Sequence, residues 1–488
     1  MEGRPATEGR GAAGAAPAGG VPAGAAPAEG APAGGAPAGG APRETAPAEA
    51  ARRLRRARTA LLACFLCQGA AFALLVTRIP AVQDRYGVGD ALLPALLAAV
   101  PVLAGAGSAA SEHLARRTSA RAVLRTAQPL TLLALACTGA GTALWQLALA
   151  LAAFGLAVGA LDASMNMLGV DLQRRCGRSV MLGFHAAFSL GGIAGATLAW
   201  AGAHGHLPLP VLFGGTAAVL LPVVLAAGTR HLGPAGPDAG GAPAAREDRA
   251  VQEDRAARDG SAAPRRPVPW RPLLPLCFAM TAAYIADATV SNWSAKYLHD
   301  TLHASEALAT VPYNAYTAAM LAGRTFGDAA VQRWGAPAVV RTGAVLSALG
   351  FAAAATAPGP WTGVLGFALL GAGLCAVVPQ VFAAGARRLP HARETAVARL
   401  NLFNYAGFLV GSPLVGAVGD AASYRAALAI PLVLVLAVLP VSRAFGPAPR
   451  RAADPGTAPT APTAPTAPTA APAGPDPDAG TGAVAGAG

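Results

Sequence analysis

The sequence predicts an all-α polytopic membrane protein with twelve transmembrane helices, arranged as two six-helix parallel repeats. Three observations carry that expectation. Of the 488 residues 54% are apolar and 13% charged, and the apolar ones gather in runs long enough to cross a hydrocarbon core of about 30 Å. Arginine is concentrated in alternate connectors between those runs, the pattern that positive-inside topology produces. A sequence element at the end of the second run returns at the end of the eighth, which marks an internal duplication.

In chain order, residues 1–51 are Ala/Gly/Pro repeats such as GAPAGGAPAGGAP. They are too poor in large apolar groups to bury a core, so they are expected to form a disordered cytoplasmic tail. Residues 447–488, with TAPTAPTAPTAAP, read the same way. A cleaved secretory signal is not expected, because the first apolar run begins only after Arg52, Arg53, Arg55, Arg56 and Arg58 and is long enough to span. Spans of roughly 20 residues fall at 59–79, 91–111, 123–143, 147–168, 180–203 and 209–228, the N-terminal half within 52–228. The C-terminal half, 272–446, has spans at 273–293, 307–327, 338–357, 362–383, 396–419 and 426–445. Pro129, Pro222, Pro312, Pro379, Pro413 and Pro431 fall inside spans, where neighbouring helices can re-satisfy the freed carbonyls. Residues 229–271 mix Pro, Gly, Asp, Glu and Arg without apolar periodicity and read as a flexible linker on the cytoplasmic side.

Orientation follows from charge. One set of connectors receives Arg116, Arg117, Arg121, Arg174, Arg175, Arg178, Arg333, Arg341, Arg387, Arg388 and Arg393; the other receives only Arg78, Arg85, Lys296 and Arg425. Both termini are therefore expected in the cytoplasm of a multi-pass cell (inner) membrane protein. The net charge of +12 is spread along these connectors and forms no single basic patch, so no nucleic-acid partner is expected. The six cysteines lie almost all within apolar runs, where a thiol packs as a small hydrophobe. Cys64-x-x-Cys67 has neither a second pair nor a strand context to make it a redox or metal site. No cofactor or metal is expected.

Placed over one another without a gap, AGSAASEHLARRTSARAVLRT (106–126) and AGRTFGDAAVQRWGAPAVVRT (322–342) bring Gly107 onto Gly323, Glu112 onto Asp328, Arg117 onto Arg333 and Arg125-Thr126 onto Arg341-Thr342. Each copy joins the second span of its half to the third. Two halves repeated in one orientation place a substrate site at their interface near the midplane.

The twelve-span plan, the long central loop and this repeated element resemble the major facilitator superfamily over roughly residues 52–445. Asp162-x-x-x-Asn166 is similar to the acidic-x-x-x-Asn element on the fourth helix of its fucose:proton symporter branch. MNMLGVDLQRRCGRSVMLGFHAAFSLGG, RIP at 78–80 and NWSAKYL at 292–298 resemble a bacterial permease group related to that branch. Two departures stand out: Glu112 and Arg116 occupy the place of an Asp-Arg pair, and Asp287 stands where the branch pattern has Glu. The resemblance implies that the first, fourth, seventh and tenth helices line a central cavity.

Independently of the resemblance, those four segments each carry a polar group deep in an apolar run: Gln68, Asp162 with Asn166, Asp287 with Asn292, and Gln380. An ionisable group at the bilayer centre is costly and by default faces a protein interior or a wet cavity. A carboxyl that meets water on one side and then the other can take up and release a proton. Asp162 is thus the candidate coupling acid, with Asn166 as its orienting partner. His185, on the next span, is either a proton relay or a satisfied packing residue. Asp287, placed toward the outward end of its span, is a candidate binding residue with Gln68, Asn292, Asn314, Gln380 and Asn404; helix-to-helix ties are the competing role for the amides. Arg324 and Asp328, one turn apart, together with Arg333 and with Glu112 and Arg117 of the first half, form a candidate gating set whose ion pairs hold the cytoplasmic side shut in one state.

No Walker P-loop, HExxH or GxSxG motif appears, and Ser189 with His185 is a thin basis for a hydrolase. An enzyme is not expected. The reading is a proton-coupled secondary transporter of a small polar solute, with sugar-like compounds among the candidates, working by alternating access as a monomer in the lipid bilayer, with protons and a small-molecule substrate as its partners. Proton-antiport efflux of drugs or metabolites is the alternative within transport, and a non-transporting sensor or scaffold is the alternative outside it.

Overall fold

The computed structural model describes residues 46–89, 92–231 and 268–446. The expected tail 447–488, nearly all of the expected tail 1–51 and most of the expected linker 229–271 lie outside the described residues. Every one of the twelve predicted spans falls on a helical segment. The first six are α1 (Ala46–Thr77), α2 (Leu93–Arg117), α3 (Ala120–Ala140), α4 (Leu144–Cys176), α5 (Met181–His204) and α6 (Leu209–Arg230). The second six are α7 (Leu274–Lys296), α8 (Val311–Trp334), α9 (Ala336–Ala355), α10 (Pro360–Arg388), α11 (Arg393–Ala421) and α12 (Tyr424–Phe445). Among the described residues nine segments are both long and apolar enough to cross a membrane. The remaining three, α2, α3 and α8, are of spanning length and carry the more polar sequences, including the duplicated Gly-to-Arg element on α2 and α8.

Two segments are interrupted, and proline accounts for both. The helix of α10 stops at Leu374 and resumes at Val377, where Pro379 has no N–H to return to the carbonyl of Cys375 four residues earlier. Breaks in α12 at Leu428 and Ala437 precede Pro431 and Pro440 by the same logic, each proline freeing the carbonyl four residues back.

Small residues set the helix crossings. A Cβ added at Gly159 on α4 would lie 1.8 Å from the carbonyl oxygen of Ala104 on α2, and one at Gly107 would lie 2.1 Å from that of Leu156. A Cβ added at Gly191 or Gly195 of α5 would collide equally with the carbonyl oxygen of Leu66 or Ala70 on α1, and one at Gly371 of α10 with that of Tyr316 on α8. Lipid gives helices little hydrophobic reason to associate, so close backbone approach supplies the packing contacts.

The halves meet where α2 packs on α11 and α5 on α8. The hydrogen bonds that join them gather between the middle of the bundle and the end bearing the arginine-rich connectors. Toward the opposite end, Tyr313 and Asn314 of α8 are exposed.

Candidate functional site

Asp162 lies at the middle of α4, partly buried, because the apolar run continues for several turns on either side of it. Its carboxylate accepts from two helices. Gln68 Nε2 of α1 donates to Oδ1, and the Tyr405 hydroxyl of α11 donates to Oδ2 at 2.5 Å. Gln68 belongs to the same half and Tyr405 to the other, so this carboxylate bridges the two repeats. Asn166 does not orient it: the short amide reaches back one turn to the main-chain carbonyl of Asp162 at 2.9 Å, a local bond that competes with side-chain contacts. Its Oδ1 is buried without a partner, as is Gln68 Oε1.

Asp287 sits closer to the middle of its helix than the sequence places it, because α7 runs on to Lys296 and a further turn follows to Thr301. Its carboxylate accepts from the Tyr316 hydroxyl of α8 at 2.5 Å. Tyr284, one turn before Asp287 on α7, lies within electrostatic reach of both carboxylates and of Arg324. Tyr284 and Tyr316 were not singled out by sequence. The chain has only seven tyrosines, and 284, 316 and 405 all stand inside apolar runs, a rarity that could have pointed to them.

The other candidate amides divide. Gln380 on α10 is 1% exposed and its Nε2 has no partner. Asn404 Nδ2 donates to Asn401 Oδ1 at 3.4 Å, and Asn401 Nδ2 to Ser108 Oγ of α2 at 3.2 Å; these tie α11 to α2. Asn292 and Asn314 bond back to the carbonyls of Ala288 and Thr310 in their own helices, at 3.0 and 3.3 Å. Asn314 is exposed.

His185 makes no hydrogen bond to Asp162. Its ring lies between Phe65 of α1, 5.5 Å between centroids, and Phe382 of α10, 6.4 Å and nearly parallel. Its Nε2 is buried and unpartnered. This is a packing position on the arginine-rich side of the carboxylates, joining helices of both halves.

The gating candidates separate in the same way. Arg324 and Asp328 do not pair with each other. Asp328 accepts from the Ser179 hydroxyl at 2.6 Å, from Gly183 N–H at 2.9 Å and from Leu182 N–H at 3.3 Å. It thereby covers the N-terminal end of α5, where unsatisfied N–H groups and the helix dipole favour an anion. Arg324 Nη1 instead donates to Ser189 Oγ at 2.6 Å. Glu112 pairs with Arg116 in its own helix at 2.9 Å, and Arg333 lies over the ring of its neighbour Trp334. Arg117 is exposed. The structure therefore brings together Gln68, Asp162 and Tyr405, and separately Asp328 and the α5 N-terminus, but not the whole predicted set.

Comparison with known proteins agrees with this architecture. The family model of the Major Facilitator Superfamily matches residues 276–476. An MFS-type transporter of Yersinia pestis is 28% identical over 386 residues, 78% of this chain and 93% of that protein. A transporter of Sinorhizobium fredii is 28% identical over 379 residues, 77% and 94% of the two chains. Among solved structures, the transporter FucP in its outward conformation superposes with a TM-score of 0.63 at 16% identity, covering 80% of this chain and 99% of that one. FucP is the fucose:proton symporter of E. coli.

Proposed function

We propose that the chain, similar to Major Facilitator Superfamily transporters in sequence and fold, is a multi-pass secondary transporter that couples proton movement to transport of a small polar, hydroxyl-rich solute by alternating access. The observation that carries this reading is the Asp162 carboxylate, held by Gln68 from one half and Tyr405 from the other. A carboxylate at that seam feels which side of the membrane is open, since rocking the halves separates it from Tyr405 or returns it. Protonation replaces an acceptor-only anion with a neutral acid, so proton occupancy and the packing of the halves are linked. FucP and the proton:xylose symporter XylE share this fold and carry sugars with protons, which supports a sugar-like solute. The sparse aromatic content, 6% of the chain, and the amides around Asp162 favour polar over lipophilic cargo.

In this proposal the arginine-rich end is cytoplasmic, both termini lie there, and the protein works as a monomer in the cell membrane. The present state is closed at that end, with Asp328 on the α5 N-terminus as a latch. The test is solute accumulation in proteoliposomes under an inward proton gradient. Asp162→Asn is expected to abolish gradient-driven accumulation while preserving exchange of solute across the membrane at equal pH. Accumulation by the variant at the wild-type level would exclude Asp162 as the coupling group.

A further inference from the structure

Arg324 is a buried cation that makes no ion pair among the described residues, the Asp287 carboxylate acting on it only across a gap. The residue is 9% exposed, and its Nη1 reaches two neutral acceptors, Ser189 Oγ at 2.6 Å and the His185 carbonyl at 3.5 Å. Its Nε is buried without a partner. The carboxylates in this part of the bundle make their hydrogen bonds elsewhere: Asp328 on the α5 N-terminus, Asp287 on Tyr316, Asp162 on Gln68 and Tyr405. A guanidinium keeps its proton inside proteins, and a buried charge left without a counter-charge is strongly destabilising. Its planar fork of donors matches a carboxylate edge-on.

Other polar groups inside the bundle are also without partners, among them His185 Nε2 beside Arg324. Tyr284, within electrostatic reach of Arg324, makes no hydrogen bond among the described residues. Gln380 Nε2 is a second buried donor without an acceptor, and Gln68 Oε1 and Asn166 Oδ1 are buried acceptors without donors. Donors beside a guanidinium suit a carboxylate; amide acceptors suit hydroxyl groups.

From this we infer that the solute carries a carboxylate, that Arg324 is the residue that binds it, and that the substrate class is a polyhydroxy acid of the sugar-acid type. The inference rests on the transporter reading and narrows it. It also changes the charge balance: one proton entering with one monoanion moves no net charge, whereas a proton with a neutral sugar moves one. A purely mechanical role, in which Arg324 only clamps α8 to α5 through Ser189, would make the guanidinium matter equally with and without solute.

The test compares solutes that differ in the carboxylate. Thermal unfolding of the full-length protein in nanodiscs is measured with D-gluconate and D-glucuronate, and with the neutral D-sorbitol and D-glucose. Wild type is expected to gain several degrees with the acids and nothing with the neutral compounds. Arg324→Gln is expected to lose the ligand-dependent gain, with Kd for the acid weakened on the order of 30-fold or more, and Arg324→Lys to recover part of it. Ser189→Ala keeps the guanidinium, removes the clamp, and is expected to bind the acid at least as well as wild type. Acid binding unchanged in Arg324→Gln, neutral sugars binding as well as acids, acid binding lost in Ser189→Ala, or no response of wild type to either acid would each overturn the inference. Proton-driven uptake of D-sorbitol or D-glucose in preference to the acids would overturn it while leaving the transporter reading intact. Acid binding that needs Arg324, without flux of any of these solutes, would instead overturn the transporter reading and leave the anion site.

Discussion

Asp328→Asn is expected to open the arginine-rich end of the bundle. The carboxylate accepts three hydrogen bonds at the start of α5, from Ser179 Oγ at 2.6 Å, Gly183 N at 2.9 Å and Leu182 N at 3.3 Å. An amide keeps one acceptor oxygen, turns an NH₂ toward donors that need an acceptor, and removes the charge. Hydrogen bonds to charged groups contribute about 1.5–3 kcal/mol each, and an anion at a helix N-terminus adds about 0.3–1 kcal/mol. Asp328 is only partly buried, so the lower end applies and the closed state loses about 2–3 kcal/mol. That changes the ratio of closed to open molecules by roughly 30- to 150-fold. Spin labels at the exposed positions His113 and His391, on a background with Cys137 and Cys176 replaced, report the separation of α2 from the connector that leads into α11 by pulsed dipolar spectroscopy. The variant should show a growing long-distance population, and Ser179→Ala a smaller one. A distance distribution identical to wild type, with the melting temperature lowered, would show that Asp328 stabilises the fold without discriminating between states.

Three further outcomes are expected. Tyr405→Phe leaves Asp162 Oδ2 without its donor from the opposite half, and should cost about 1–3 kcal/mol of the coupling between halves, read as a roughly tenfold or greater loss of gradient-driven uptake while expression is maintained. His231, just beyond α6, is 5% exposed with Nε2 3.6 Å from Cys64 Sγ; burial, then Arg121 and Arg125, hold its imidazole down at about 4 against an ordinary 6.5. Between those values the unfolded chain binds a proton that the folded one refuses, so this contribution is complete above about pH 6.5 and is lost as pH falls toward 4, by up to about 3 kcal/mol. His231→Gln should flatten that part of the pH dependence of thermal stability, and an unchanged slope would exclude it as the cause. Gly159→Val sets side-chain carbon against the Ala104 carbonyl, where even Cβ would lie at 1.8 Å; it should separate α2 from α4 and lower the melting temperature by many degrees, whereas Gly214→Val, with open space around its Cβ, should be near neutral.

The twelve segments were readable because lipid demands long apolar helices, and each demand leaves a run of about 20 residues in sequence. The more polar α2, α3 and α8 were still found, because the arginines at their ends and the duplicated element bracket them. Pro379 and Pro431, expected to be tolerated inside their spans, instead coincide with breaks in α10 and α12, because proline alone does not distinguish a break from a tolerated kink: Pro129 and Pro413 sit inside uninterrupted helices. The site was legible only as an inventory. Asp162, Gln68 and Asp287 announce themselves by their cost in an apolar run, but which donors they meet depends on helix rotation and on which helices are neighbours. Hence Tyr316 was missed, Asn166 was given an orienting role that geometry denies it, and of the two roles open to His185 the geometry favours packing. The one-turn spacing of Arg324 and Asp328 also allowed an intrahelical pair beside their gating role. That pairing loses because the free N–H groups of α5 are the better partners for the carboxylate.

The duplicated element does different work in its two copies. In the second half Asp328 crosses to α5 and ends on main-chain donors that are fixed in place. Its counterpart Glu112 stays in its own helix with Arg116, whose side chain is 46% exposed, so that pair contributes little. The α2–α11 contact is held by neutral groups instead: Asn401 to Ser108, Ser108 Oγ to the Ala398 carbonyl at 3.4 Å, and Leu402 over Gly105. Such contacts slide and re-form at small cost, whereas a carboxylate parted from a helix N-terminus must be rehydrated. In the proposed alternating-access cycle the energetic difference between closed and open states is therefore concentrated on the α5–α8 side, which also carries Arg324 and Ser189. On the proposed transport cycle, a solute that engages Arg324 acts on the same pair of helices that Asp328 joins, and binding and closure are then coupled through α8 without any longer path.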